Sequence, residues 1–187
     1  MNSLNLFSIL SNRVILLTQI EKDELQLHKE TVVLEPLIDD LIEKFRLKTH
    51  KPVEFSKAFH HCNSVYADAF CLREILSNLI DNAIKYSGES VQIKISSSAS
   101  TDGYTHISVT DNGMGIPLKE QGKIFEKFER ASAVIRNRKE GASGFGLGLN
   151  YVLHVVEAHH GSVKLESIEG EYSKFTINIP QHNGETA

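Results

Sequence analysis

Residues Glu74–Ser87, EILSNLIDNAIKYS, form the stretch that determines how this chain folds. At about 100° per residue, an α-helix places its apolar residues on one broad arc and Asn78, Asn82 and Lys85 on a stripe along the other side. A solvated polar face is one interpretation of the stripe. Asparagine, however, disfavours helix interiors because its amide competes for backbone hydrogen bonds. Since amide oxygens bind hard cations and lysine binds phosphate oxygens, the stripe is also a candidate binding site. The apolar arc contains Ile75, Leu76, Leu79, Ile80 and Ala83.

The composition is that of an ordinary globular chain. Of the 187 residues, 41% are hydrophobic and 24% are charged, and the formal net charge of -4 gives no general basic field for nucleic acid. No apolar run approaches the roughly 20 residues of a membrane span. Cys62 and Cys71 lack zinc-ligand spacing, which fits a reducing, cytoplasmic setting. We therefore expect no nucleic-acid partner and no membrane contact by this chain.

The N-terminal region predicts a helix that needs a partner. Between about Ser3 and Lys22, apolar residues recur at three- and four-residue spacing, close to a heptad seam. A lone helix of this length does not stay folded in water. We interpret it as part of a dimerising helical stalk, with a helix docked on its own domain as the alternative. The chain then divides into a helix and linker (1–30), a principal domain (31–180) and a disordered tail (181–187).

Alternation and turn signals predict an α+β fold. Pro36 suits the first position of a helix, and Asp68 is a good N-cap for the asparagine-containing helix. From Pro117 to Gly144 the chain is irregular apart from the amphipathic piece Ile124–Phe128, and long loops of this kind are usually lids or binding loops. We expect a two-layer α/β sandwich, with a mixed, mostly antiparallel sheet, helices on one face, a lid and an N-terminal helix. The predicted strands are 31–34, 53–59, 91–97, 104–110, 162–167 and 174–179, and the last helix runs to about His159.

Three nucleotide-binding interpretations compete for the glycine-rich segment Gly144–Leu149, GFGLGL. A P-loop needs GxxxxGK[ST], which does not occur, and a dinucleotide fold needs GxGxxG after a strand, whereas the spacing here is GxGxG. A flexible hinge is the plain structural alternative. The third interpretation is a nucleotide lid, because glycines let backbone N–H groups approach phosphate oxygens and the following helix offers its positive N-terminus.

The segment Asp111–Ile116, DNGMGI, is either an ordinary turn or part of a binding site. At a strand end, Asp111 can accept a hydrogen bond from an exocyclic amine, while Gly113 and Gly115 keep the backbone flat enough for a base to lie against it. A lone carboxylate favours adenine over guanine, because the guanine carbonyl would leave two acceptors facing each other.

Taken together and in this order, the asparagine helix, DNGMGI, IFEKF and GFGLGL resemble the catalytic and ATP-binding domain of sensor histidine kinases. This nucleotide fold is shared with the type II topoisomerase and mismatch-repair ATPases. The resemblance covers about 31–180, and residues 1–30 look like the end of the second dimerisation helix of such kinases. It implies ATP and Mg²⁺ as cofactors and transfer of the γ-phosphoryl group to a histidine.

The resemblance also implies roles for individual residues. Asn82 would be the Mg²⁺ ligand, with Asn78 one turn earlier near the phosphates, and Asp111 would bind the adenine amine. Asn78, Lys85 and Arg130 would be catalytic, since Lys85 would contact phosphate and Arg130 would reach the γ-phosphate. Phe125 and Phe128 match the phenylalanine box of the family. The remaining nucleotide contacts would be Tyr86, Gly113, Gly115, Ile116, Gly144, Gly146, Leu147, Gly148 and Leu149.

Two features depart from the pattern of the family, and Asn78 differs from the residue that related hydrolases have at its position. The phosphoacceptor motif is absent, and His28, the only histidine before the domain, lacks it. We therefore expect a fragment of a longer kinase that does not autophosphorylate alone. Related hydrolases place a glutamate base where Asn78 stands, so hydrolysis should be slow. His160 replaces a glycine of the family's His-Gly-Gly turn.

The partners implied by the resemblance lie outside this chain. They are the histidine-bearing dimerisation domain of the parent kinase, a response regulator receiver domain indirectly, and a second copy in a full-length homodimer. The domain would be cytoplasmic, with a parent protein that is either soluble or anchored in a membrane. Two alternatives share the fold: a degenerate nucleotide-sensing module and a serine-directed kinase of the anti-sigma type.

Overall fold

Seven strands and four helices make up the part of the chain that the computed structural model describes, which is Thr18 and residues 25–60, 62–126 and 147–181. The strands are β1 (Lys29–Val33), β2 (Val53–His60), β3 (Ser64–Asp68), β4 (Val91–Ala99), β5 (Tyr104–Asp111), β6 (Ser162–Ile168) and β7 (Tyr172–Pro180). The helices are α1 (Leu34–Lys48), α2 (Ala69–Lys85), α3 (Leu118–Gln121) and α4 (Gly148–Ala158).

The principal sheet has five strands in the order β2-β4-β5-β7-β6. Strands β2 and β4 are parallel, and the other three neighbouring pairs are antiparallel. A separate antiparallel ribbon joins β1 to β3. The predicted mixed, mostly antiparallel sheet is confirmed.

The core lies between one face of this sheet and the helices α1, α2 and α4. Ile75 and Leu79 of α2, Ile93 of β4 and Val109 of β5 belong to one buried cluster. Each such side chain contributes about 1.5–3 kcal/mol on burial. The other face of the sheet is polar, with His60, Ser98, His106, Asn178 and Ser162 in register across the five strands. The two-layer sandwich with helices on one face is therefore confirmed. No described helix is both long and apolar enough to cross a membrane.

Asp68 caps α2, as its position predicts. Its Oδ1 accepts the Cys71 N–H at 2.9 Å, and its Oδ2 accepts the His28 N–H at 2.9 Å. Burial opposes the charge, but these bonds keep the pKa of Asp68 below its ordinary value. The buried His159 ring, at the end of α4, accepts the Asp68 N–H through Nε2 at 3.1 Å. The start of α2 is thereby tied to the end of α4.

Three details differ from the predicted elements. Strand β3 was not predicted, because the stretch SVYAD is short and becomes a strand only through its pairing with β1. Helix α1 begins at Leu34, so Pro36 is its third residue, where a missing N–H still costs no helical bond. Within the predicted lid, Leu118–Gln121 forms a short helix and Ile124 is buried.

His160 adopts the conformation for which the family uses glycine. Its φ is 61°, its N–H donates to the Glu157 carbonyl at 2.8 Å, and the Gly161 N–H donates to the Val156 carbonyl at 2.9 Å. These two bonds form a Schellman motif after α4, with His160 at the left-handed position. The turn therefore keeps its geometry despite the histidine.

Some predictions fall on parts of the chain that are not described. Thr18, the one described residue of the predicted N-terminal helix, is helical. The tail from residue 182 lies outside the described residues. The proposed division at residues 30 and 180 stays a prediction.

Candidate nucleotide-binding site

The asparagine helix and the end of the glycine-rich segment meet in the structure. Asn78 of α2 is 4% exposed, and its Nδ2 donates to the Glu74 carbonyl at 2.8 Å. A Cβ placed on Gly148 would lie 3.0 Å from Asn78 Oδ1. Because that distance is shorter than an ordinary carbon–oxygen contact, a glycine lets α4 begin this close to α2. Two motifs that are far apart in sequence therefore form one site.

The N-terminus of α4 is positioned to bind an anion. Its first residue is Gly148, and the Tyr151 N–H donates to the Leu147 carbonyl at 2.9 Å. Leu147, at the cap position, has no side-chain acceptor for the first N–H groups of the helix. These N–H groups and the helix dipole favour negative charge beside Asn78.

The predicted polar stripe on α2 divides into two parts. Asn78 faces the start of α4, whereas Lys85 Nζ pairs with Asp81 Oδ2 at 2.5 Å. Asp81 also binds Lys48 Nζ, at the end of α1, at 3.1 Å. Burial raises the pKa of Asp81, but Lys85 and Lys48 outweigh it and hold that pKa below its ordinary value. Because the Lys85 ammonium has three N–H donors, its pairing with Asp81 does not prevent it from also contacting an anion. Asn82 lies between the two parts and is half-buried.

Asp111 is a buried carboxyl at the end of β5. It is 7% exposed, lies on the same side of the strand as Ile107 and Val109, and accepts the Gly113 N–H through Oδ1 at 2.8 Å. Burial raises its pKa to about 6, although the Gly113 bond opposes the shift. A buried carboxylate with acceptor capacity left is suited to an amine donor.

The two glycines after Asp111 are required by contacts with the main chain. A Cβ on Gly113 would lie 2.7 Å from the Tyr86 carbonyl oxygen, which also accepts the Met114 N–H at 3.0 Å. Gly115 has a φ of 62°, and a Cβ there would overlap the Ile168 carbonyl. In the structure these glycines allow the segment to pack between the end of α2 and the β6–β7 turn. The expected role of the two glycines in making room for a base stays a prediction.

The other residues that we predicted to contact the nucleotide are partly buried or lie outside the described part of the chain. Tyr86, Ile116, Leu147 and Leu149 are half-buried. The Phe125 ring meets Phe175 of β7 edge to face, with 6.4 Å between centroids. The Phe125 carbonyl accepts the Asn150 Nδ2–H at 2.9 Å, a contact that the sequence did not signal because the two residues are 25 positions apart. Phe128, Arg130, Gly144 and Gly146 lie outside the described residues.

The donor set around Asn78 and Asn82 fits Mg²⁺. Within residues 25–60, 62–126 and 147–181, no three acidic, histidine or cysteine side chains cluster as a metal site. Mg²⁺ is usually held by one or two carboxylates, with substrate phosphates and water completing the shell. The half-buried Asn82 offers an amide oxygen, which is also a hard donor, and the phosphates of a bound nucleotide would supply most of the remaining ligands.

Three features together define an ATP-binding domain of the ATPase type. They are the two-layer sandwich, the asparagine helix beside the N-terminus of α4, and the buried carboxyl at the end of a strand. The chain belongs to the histidine kinase-, DNA gyrase B- and HSP90-like ATPase family, which matches residues 67–183.

Similar proteins include sensor kinases and their catalytic domains. The chain is 32% identical over 181 residues to the adaptive-response sensory kinase SasA of Crocosphaera subtropica, covering 94% of this chain and 46% of that kinase. It is 28% identical to the catalytic domain of histidine kinase ThkA, with a TM-score of 0.68 and coverage of 82% and 96%. Full-length ShkA in complex with AMPPNP is 27% identical, with a TM-score of 0.77 and coverage of 90% and 34%. The chain is thus a histidine kinase-type ATPase domain that spans about half the length of SasA.

Proposed function

We propose that this chain is the catalytic domain that donates the ATP γ-phosphoryl group to a histidine of a two-component sensor kinase. The observation that carries the proposal is the meeting of Asn78 with Gly148 at the N-terminus of α4. The similarity to SasA supports the same assignment. The acceptor histidine would lie on a dimerisation domain, and the phosphoryl group would pass on to a receiver domain.

Asp111 would select adenine. Its ionised carboxylate accepts a hydrogen bond from the exocyclic amine, while the guanine carbonyl at the same place would face another acceptor. The position of Asp111 beside Gly113 and the Tyr86 carbonyl supports this role. Tyr86 and Ile116 would provide the half-buried walls of the adenine site.

The phosphates would lie toward the N-terminus of α4. Asn82 would hold Mg²⁺, which when bound neutralises charge on the phosphate oxygens, and Asn78 would lie one turn earlier, near the phosphates. Lys85 would contact a phosphate through N–H donors that its pairing with Asp81 does not use. Arg130 at the γ-phosphate, together with Phe128, Gly144 and Gly146, stays a prediction.

The chemistry of this domain would be positioning rather than proton transfer. Phosphoryl transfer passes through a loose transition state, which needs orientation and charge stabilisation. Asn78 is a neutral amide that donates to Glu74, so it has no basic atom for the proton of an attacking water. A histidine imidazole supplied by another domain is nucleophilic without such a base.

A calorimetric titration with a non-hydrolysable ATP analogue, with and without Mg²⁺, tests the proposal. The wild-type chain should bind the ATP analogue and reject the GTP analogue. Asp111→Ala should abolish binding, and Asn82→Ala should remove the strengthening by Mg²⁺. Asp102→Ala, in an exposed turn, is the control and should bind normally. Absence of binding by the wild type would refute the assignment.

The type of residue that is phosphorylated distinguishes a histidine kinase from a serine-directed kinase. Phosphohistidine is acid-labile and phosphoserine is not, so acid treatment of a labelled acceptor protein distinguishes them. A domain that binds ATP but labels no histidine-bearing dimerisation domain of its parent kinase would be a nucleotide-sensing module.

A further inference from the structure

Asn150 is a buried polar residue for which the roles assigned above give no use. It lies in the first turn of α4 and is 4% exposed. Its Nδ2 donates to the Phe125 carbonyl at 2.9 Å, and its Oδ1 has no hydrogen-bond partner among the described residues. Burying an amide with an unused acceptor lowers stability, so packing alone does not account for this side chain.

The bond from Asn150 to Phe125 joins the two ends of the candidate site. At one end, Asn150 follows two residues after Gly148, which approaches Asn78. At the other end, Phe125 packs against Phe175, whose partner across the sheet is Val109, on the same strand and the same side as Asp111. The bond from Asn150 therefore links the start of α4, through Phe125 and Phe175, to the strand that ends at Asp111.

We propose that Asn150 is a positioning residue for ATP. Its Nδ2 fixes the first turn of α4 relative to the Phe125 segment, so that the N–H groups of α4 and the Asp111 carboxylate keep the separation that a single ATP molecule spans. The proposal rests on the proposed function and extends it. Removing the donor leaves the Phe125 carbonyl unpaired and releases the start of α4. Adenosine, which uses only the adenine end, should be affected much less than ATP.

Titrations of the 187-residue chain with the Mg²⁺-bound ATP analogue and with adenosine test this proposal. Asn150→Ala should weaken the ATP analogue about tenfold, the effect of one lost hydrogen bond, and adenosine less than about threefold. Asn150→Asp keeps the shape but not the donor, and its charge repels phosphate, so it should lose at least as much ATP affinity as the alanine variant.

Asn178→Ala is a matched control. Asn178 is also 4% exposed, but it bonds His106 and Ser162 on the polar face of the sheet. This variant should leave both affinities unchanged. A similar loss of ATP affinity in Asn178→Ala would show general destabilisation and overturn the proposal.

Hydrogen exchange without nucleotide provides a second readout. In Asn150→Ala, exchange should rise together in residues 122–126 and in the first turn of α4; if that variant does not fold, Asn150→Ser carries the same expectations. Unchanged ATP affinity, or equal losses for ATP and adenosine, would overturn the positioning role while the proposed function stands. If the wild type binds no ATP analogue, the proposed function fails and this role fails with it.

Discussion

At the scale of single residues, the buried carboxyl of Asp111 is suited to bind adenine, but its charge lowers the stability of the folded protein. Burial raises its pKa to about 6, whereas an unfolded aspartate titrates near 3.8. Between these values the folded state binds the additional proton, so the contribution of Asp111 to stability falls as the pH rises from about 4 to about 6. We predict that Asp111→Asn raises the free energy of unfolding at pH 7 by about 1–3 kcal/mol, because the amide still accepts the Gly113 N–H without a buried charge. Urea unfolding measures the change.

The same substitution should abolish binding of the ATP analogue, because the amide that replaces the carboxylate would present a donor or a weaker acceptor to the adenine amine. The stability difference between variant and wild type should vanish near pH 4. Comparing the two proteins cancels the opposite effect of His159, whose pKa is lowered by burial. A variant less stable than the wild type at pH 7 would contradict the prediction.

Substitution of Gly115 tests whether this glycine is needed only for its positive φ or also because its backbone lies against the Ile168 carbonyl. Its φ is 62° and a Cβ would overlap the Ile168 carbonyl, whereas Gly103 has a φ of 84° and open space around it. We predict that Gly103→Ala costs about 1–2 kcal/mol, the left-handed penalty alone, and that Gly115→Ala costs at least about 3 kcal/mol. Thermal unfolding of both variants gives the comparison. Equal losses would mean that the β6–β7 turn moves freely to accommodate the methyl group.

At the scale of the element, the end of α4 depends on the Schellman turn around His160. A non-glycine residue in the left-handed conformation costs about 1–2 kcal/mol, part of which is offset because glycine has more freedom in the unfolded chain. We predict that His160→Gly stabilises the protein by about 0.5–1 kcal/mol. Denaturant unfolding at fixed pH measures this, with His160→Ala as the control, which keeps the conformational cost and should not stabilise. A loss of stability in the glycine variant would show that the histidine side chain makes a compensating contact.

At the scale of the whole molecule, the sequence predicted what local patterns encode. Alternation of apolar and polar residues predicted most of the strands, and Asp68 was recognisable as an N-cap. The motifs also predicted that Asn78 and the glycine-rich segment belong together, and these two do meet in the structure. Long-range pairing could not be predicted from the sequence: β3 is a strand because it pairs with β1, and Lys48 of α1 reaches Asp81 of α2. The contact between Gly115 and the Ile168 carbonyl and the bond from Asn150 to Phe125 also depend on the folded chain.

The last prediction concerns the activity of this domain without the rest of a kinase. The chain holds groups suited to bind ATP, but Asn78 supplies no base for water, and the proposed acceptor histidine lies on another domain. Alone with ATP and Mg²⁺, the chain should bind nucleotide yet turn over far below the roughly 1–100 s⁻¹ of kinases, and it should not label itself. Labelled ATP measures both, with Asp111→Ala as the control for contaminating hydrolases. A fast rate that survives purification and disappears in Asp111→Ala would show that the domain activates water, and Asn78 would then not explain how hydrolysis is suppressed.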